Sequence, residues 1–261
     1  MRSISLLLSL FLTFGLSTNC SALPKPQQKS VANESANTTV EAKSLELNER
    51  AVQAIQKKDF VAAEDLLKRS LASDEHNVTA AFNLASVYLT LNKNHDAVEL
   101  LSGYIRQTPT DAGLHARLGD ALFASKKINE ALIAYEDALK IDPKYPAIRV
   151  RLATIYTLSK RLQDAEKVLL LAIEQEPQNG EALSNLSALF LANGKAQESI
   201  QTAKRALQVK PSSQVYVTMG AAYETVKDFK NALIAFQRAQ DLGNATKEVS
   251  QKIENLKKVV S

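Results

Sequence analysis

The residues of this 261-residue chain that could support catalysis or bind a metal are few, and none is arranged to do so. The three histidines, His76, His95 and His115, have no second histidine or cysteine at metal-binding spacing, and each reads as a solvated surface residue. Glu136 and Asp137 form a carboxylate pair, but neighbours in sequence point in different directions from a helix, so they cannot flank one reacting atom. No nucleophile elbow, phosphate-cradling glycine loop or HExxH occurs. The chain therefore reads as non-enzymatic, with no cofactor and no metal.

Composition narrows the elements that can position the remaining residues. A hydrophobic content of 45% and a charged content of 23% exclude wholesale disorder. Eight glycines and seven prolines leave little material for the tight turns of a sandwich or barrel, so helix is the expected element. The net charge is only +4, and the signs alternate, as in Glu64-Asp65 before Lys68-Arg69. A nucleic-acid binder concentrates its cations on one face, which excludes nucleic acid as the expected partner.

Residues 1–22 read as a secretory leader. Arg2 supplies the positive start, and the uncharged run from Ile4 to Leu16 is too short for a comfortable bilayer span. Two processing outcomes are open. Cys20-Ser21-Ala22 suits cleavage after Ala22, which leaves a mature chain without cysteine; lipidation of Cys20 is less well matched by Ser17 and Asn19. Export to a periplasm or the exterior is expected in either case, with membrane attachment only if Cys20 is lipidated. Residues 23–43, rich in Pro, Gln, Ser, Asn and Thr, read as a flexible polar tether. Asn33-Glu34-Ser35 and Asn37-Thr38-Thr39 match the glycosylation triplet and matter only in a eukaryotic host.

Beyond residue 43 the prolines set a rhythm. Pro109, Pro143, Pro177 and Pro211 recur every 34 residues, as do Ala63, Ala97, Ala131, Ala165 and Ser199, with Ala232 following 33 later. The short last step marks a one-residue deletion near Ser212. Ahead of each small residue runs a helical stretch such as Leu118-Gly119 with Leu122 or Leu152-Ala153 with Tyr156; behind it runs another, such as Tyr135 with Ala138. Each unit is thus two antiparallel helices joined by a polar turn, as at Asn92-Lys93-Asn94 and Asn193-Gly194-Lys195. The proline stops the second helix, and Asp111, Asn179 and Ser213 stand where the next one needs an N-cap.

This pattern resembles the tetratricopeptide-repeat family. The resemblance implies an all-α fold, a right-handed superhelical solenoid of antiparallel helix pairs, with six units at 44–77, 78–111, 112–145, 146–179, 180–212 and 213–246. The first and last units are atypical, with Glu75 and Asn244 at the proline position. Residues 247–261 carry Val249, Ile253, Leu256 and Val260 at helical spacing and read as a C-terminal capping helix.

In this family the sixth position of each unit faces the concave groove, which here gives Glu49, Asn83, Arg117, Arg151, Asn185 and Thr218. The resemblance therefore makes Asn83, Arg117, Arg151 and Asn185 the candidate peptide-binding ladder. Asparagine can donate to and accept from a peptide backbone at once, and the arginines are permanent forks suited to an acidic partner. Phe82, Leu89, Phe123 and Leu191 are candidate apolar groove residues, although packing between units is an equally ready use for them. The expected activity is a scaffold or adaptor for a peptide or protein segment. An outer-membrane-tethered assembly factor, like pilus pilot lipoproteins, is the alternative. The family's chaperone-tail clamp needs Lys and Asn where this chain has Asn48 and Val52, so that activity is not expected. Oligomeric state is not legible.

Overall fold

The computed structural model describes residues 37–145 and 147–260. The expected leader at 1–22 and residues 23–36 of the expected tether lie outside them. Thirteen helices and no strand occur among the described residues. They run α1 (Asn37–Gln56), α2 (Phe60–Ser73), α3 (Val78–Thr90), α4 (Asn94–Gln107), α5 (Ala112–Ala124), α6 (Ile128–Ile141), α7 (Ile148–Leu158), α8 (Leu162–Gln175), α9 (Gly180–Ala192), α10 (Ala196–Val209), α11 (Ser213–Thr225), α12 (Phe229–Asp241) and α13 (Lys247–Val260).

Helix α1 begins at Asn37, so residues 37–43 are helical rather than part of a tether. Glu41, Ala42 and Lys43 favour helix, and extending a helix that Leu47 and Ala51 already anchor in the core costs little.

The chain divides between Ile148 and Arg149 into two compact bodies. In the first, α1 packs on α2, α3 on α4 and α5 on α6, α2 packs on α3 and α4 on α5, and the first helices α1, α3 and α5 touch in succession. Its core runs from Ala51, Ala63 and Leu67 through Leu84, Tyr88, Leu101 and Tyr104 to Leu114 and Ala121. In the second body α9 packs on α10 and α11, α11 on α12, and α13 lays Val249, Ile253 and Leu256 against α12.

Both ends of the helices follow from the sequence. Asn77, Asp111 and Asn179 accept hydrogen bonds from the amides of Ala80, Leu114 and Ala182. At the shortened linker the cap is Ser212, one residue earlier than expected, because the deletion leaves Pro211 next to the helix start. The second helices carry one acid at the N-terminus. It is the cap itself in α2 and α12, Asp59 and Asp228, and a first-turn residue in α4, α6, α8 and α10, where a Lys or Arg occupies the cap. An anion there offsets the positive end of the helix dipole.

Within each pair the turn passes through the left-handed region at one fixed place: Lys58, Asn92, Lys126, Lys160, Gly194 and Lys227, with φ between 57° and 75°. Glycine adopts that conformation at no steric cost, and only the fifth pair uses it. Close approach is the second constraint. A β-carbon at Gly119 would lie 2.5 Å from the ring of Tyr135, and one at Gly220 would lie 3.0 Å from Phe236.

Polar ties also join successive pairs. Both oxygens of Glu64 accept from Lys93 Nζ, at 2.9 and 2.7 Å, and Glu166 accepts from Lys195 in the same way. Ser44, Ser70 and Asn77 form a buried hydrogen-bonded knot that joins the first pair to the cap of α3.

Three outcomes are expected. Gly119→Ala loses about 1–2 kcal/mol in urea unfolding, because the Tyr135 ring cannot retreat and the clash exceeds the helix-propensity gain. Lys126→Gly gains about 0.5–1 kcal/mol, seen as a higher urea midpoint. Hydrogen bonds from Lys68 and Lys93 hold the Glu64 carboxyl below its ordinary value. Its contribution is therefore present above the unfolded pKa of about 4.3 and is lost as pH falls through the folded one. Glu64→Gln accordingly lowers the neutral-pH urea midpoint, and the gap from the parent closes in acid.

Candidate functional site

Each first helix contributes one member of the sixth-position row. In the first body Glu49 is exposed on α1, Asn83 is buried on α3 and Arg117 is partly buried on α5. In the second body Arg151 is partly buried on α7, while Asn185 on α9 and Thr218 on α11 are buried.

Asn83 is already engaged. Its Nδ2 donates to Oδ1 of Asn48 on α1 at 2.9 Å, so its donor side is shared within the fold. Arg117 is engaged more fully. Its Nη1 donates to Asp120 Oδ2 at 3.2 Å, the other oxygen of Asp120 accepts from the Tyr135 hydroxyl at 2.7 Å, and the guanidinium lies 4.5 Å above the Phe82 ring. Asp120 is only 3% exposed. The positive charge of Arg117 is therefore met internally by Asp120. Its Nε is buried and has no hydrogen-bond partner among the described residues.

The apolar set divides. Leu89 is buried in the core of the first body, at 8% exposure. Phe82 packs at the margin of the same core and supports Arg117. Phe123 and Leu191 are partly exposed on α5 and α9.

In the second body two amides stand out. Asn185 is 5% exposed. Gln214 Nε2, at the start of α11, is buried without a hydrogen-bond partner among the described residues. The hydroxyls beside them are consumed within their own helices, Ser184 by the Gly180 carbonyl and Thr218 by that of Gln214. Among the described residues no group of acids, cysteines and histidines could hold a metal, and no helix is long and apolar enough to cross a membrane.

The pairing of Arg117 with Asp120 is legible from their helical spacing, whereas the contacts of Asn48 and Gln214 are not. Asn48 lies 35 residues before Asn83, one more than the period. Gln214 carries no sequence signal, since only burial distinguishes it from any surface glutamine.

A sequence profile of the tetratricopeptide repeat matches residues 54–121 and 122–189, together more than half of the chain. A BBSome complex member homolog of Drosophila melanogaster is 23% identical over 71% of this chain, which spans 38% of that relative's length. Among solved structures, the type IV pilus biogenesis factor PilW superposes with a TM-score of 0.72 at 18% identity, over 80% of this chain and 97% of PilW. PilF of Pseudomonas aeruginosa gives 0.72 at 14%, over 84% and 98%. At such identities the likeness speaks for the fold. With its helix pairs, its 34-residue period and this match in place, the chain belongs to the tetratricopeptide-repeat family, whose members bind peptide or protein partners.

Proposed function

We propose that the chain is an exported, non-enzymatic adaptor that holds a peptide or protein segment against the faces of its first helices. The supporting observation is the sixth-position row, Asn83, Arg117, Arg151 and Asn185, which places one polar side chain per helix pair at a single register. Backbone capture falls mainly to Asn185, because Asn83 shares its amide with Asn48. Arg117 contributes its remaining N–H groups and a planar face stacked on Phe82 rather than an uncompensated charge. Phe123 and Leu191 supply apolar contact.

A second reading, an assembly factor tethered at an outer membrane, is favoured by one observation. The neighbours PilW, a type IV pilus biogenesis factor, and PilF are covered almost end to end by this chain, which also carries Cys20 in its leader.

A photoreactive residue placed at Phe123 or Leu191 is expected to crosslink one and the same partner in the native compartment. The same probe at Val61 or Ile133, exposed on second helices, is expected not to. Equal capture from both sets would remove the adaptor reading. Mass spectrometry of the mature N-terminus separates the two readings: free Leu23 supports the soluble adaptor, and acylated Cys20 supports the tethered assembly factor.

A further inference from the structure

One register of the second helices breaks its own rule on α8. The fifth and sixth residues after the recurring small residue are polar or glycine on the other five second helices, as in Lys68-Arg69 on α2, Glu136-Asp137 on α6 and Lys204-Arg205 on α10. On α8 the same two places hold Leu170 and Leu171, which are 48% and 38% exposed. Exposed apolar side chains elsewhere on second helices, such as Val61 and Ile133, stand singly. The two leucines are adjacent and border an open cleft of about 520 Å³ lined by α8 and by Lys195 at the cap of α10. An apolar patch rimmed by polar side chains marks a protein contact.

The charges around the leucines identify the occupant. Successive residues of an α-helix turn by about 100°, so Gln163, Lys167, Leu170, Leu171 and Glu174 share one stripe, opposite the buried Ala165, Leu169 and Ala172. Lys167 stands three residues before Leu170 and Glu174 three after Leu171. Opposite charges therefore lie at equal distances, roughly 5 Å along the axis, on either side of the midpoint of the leucine pair. Both are exposed and form no ion pair with another described residue, whereas Glu166, beside the stripe, is already held by Lys195 at 2.9 Å. Two such stripes laid antiparallel about a two-fold axis through the midpoint set each Lys167 against the Glu174 of the other copy, with the four leucines between them. Laid parallel, they would oppose like charges. We propose that this stripe of α8 is the contact of a symmetric homodimer, covered by α8 of a second copy of the chain. The dimer stands whether or not the first helices hold a peptide. A single helix face is a small contact, so the association is weak and rises with protein concentration.

Sedimentation equilibrium of the full chain over a concentration series, in reducing buffer so that Cys20 cannot link copies, reads the association. The parent is expected to approach twice the monomer mass as its concentration rises. Lys167→Glu and Glu174→Lys each set like charges against one another and are expected to weaken association about tenfold. An equal mixture of the two is expected to restore it, because every facing pair is then opposite in sign. Recovery on mixing also shows that neither variant is misfolded. Leu171→Ser is expected to abolish association and to leave the melting temperature of the dilute protein unchanged, since the side chain it removes is exposed. A parent that stays monomeric at millimolar concentration would overturn the proposal, as would a dimer that persists in Leu171→Ser or a mixture that associates no better than its components. A different protein that binds α8 of a monomeric parent and is lost with Leu171→Ser would assign the stripe to that partner and overturn the second copy as its occupant.

Discussion

The ring of Tyr135 occupies the space that a β-carbon on residue 119 would need, and much of the first body is arranged around that contact. Two helices that approach so closely must carry a small residue on one side and a large one on the other, at fixed heights along both axes. That requirement sets the register of α5 against α6 and buries the tyrosine to 2% exposure. The buried hydroxyl then needs an acceptor, which Asp120 supplies at 2.7 Å. Asp120 in turn needs a cation, and Arg117, one turn earlier on α5, supplies it. A residue that faces a candidate ligand is thus oriented by a chain of necessities that begins at a missing side chain.

In the second body α11 and α12 repeat this device with Gly220 against Phe236, whereas α9 and α10 meet the same packing problem with a polar residue. At the small-residue position of α9 stands Ser187, which donates to the Ser199 carbonyl, so its polar group is satisfied between α9 and α10 and transmits nothing to the outer face. Gln214 Nε2 on α11 is buried without a hydrogen-bond partner among the described residues.

The architecture was legible because the constraints that build it recur. Prolines and small residues repeat every 34 residues, and the caps Asp111 and Asn179 fall where a helix start demands an oxygen acceptor. The local state of the candidate residues was less legible, because it depends on contacts displaced from the repeat. Asn83 meets a residue 35 positions away, and Leu89 sinks into the core through its neighbours on adjacent helices. The helical start of α1 at Asn37 was hidden by composition, since Asn, Thr and Ser weaken a helix without forbidding one. The cap at Ser212 was misplaced by one residue because a deletion can be located from the period only to within a turn.

The hydrogen bond from Asn83 to Asn48 spans 35 residues, about one repeat. Contacts of such short span make loop closure cheap, so each pair can form as soon as its neighbour is present, and structure can spread along the chain in either direction. The order in which the polypeptide becomes available then matters little to whether it reaches its native state. A protein threaded through a membrane as an unfolded strand would need no distant segment to arrive before the first helices settle, and a cut in one inter-helix turn would loosen the flanking pairs while leaving the remainder standing.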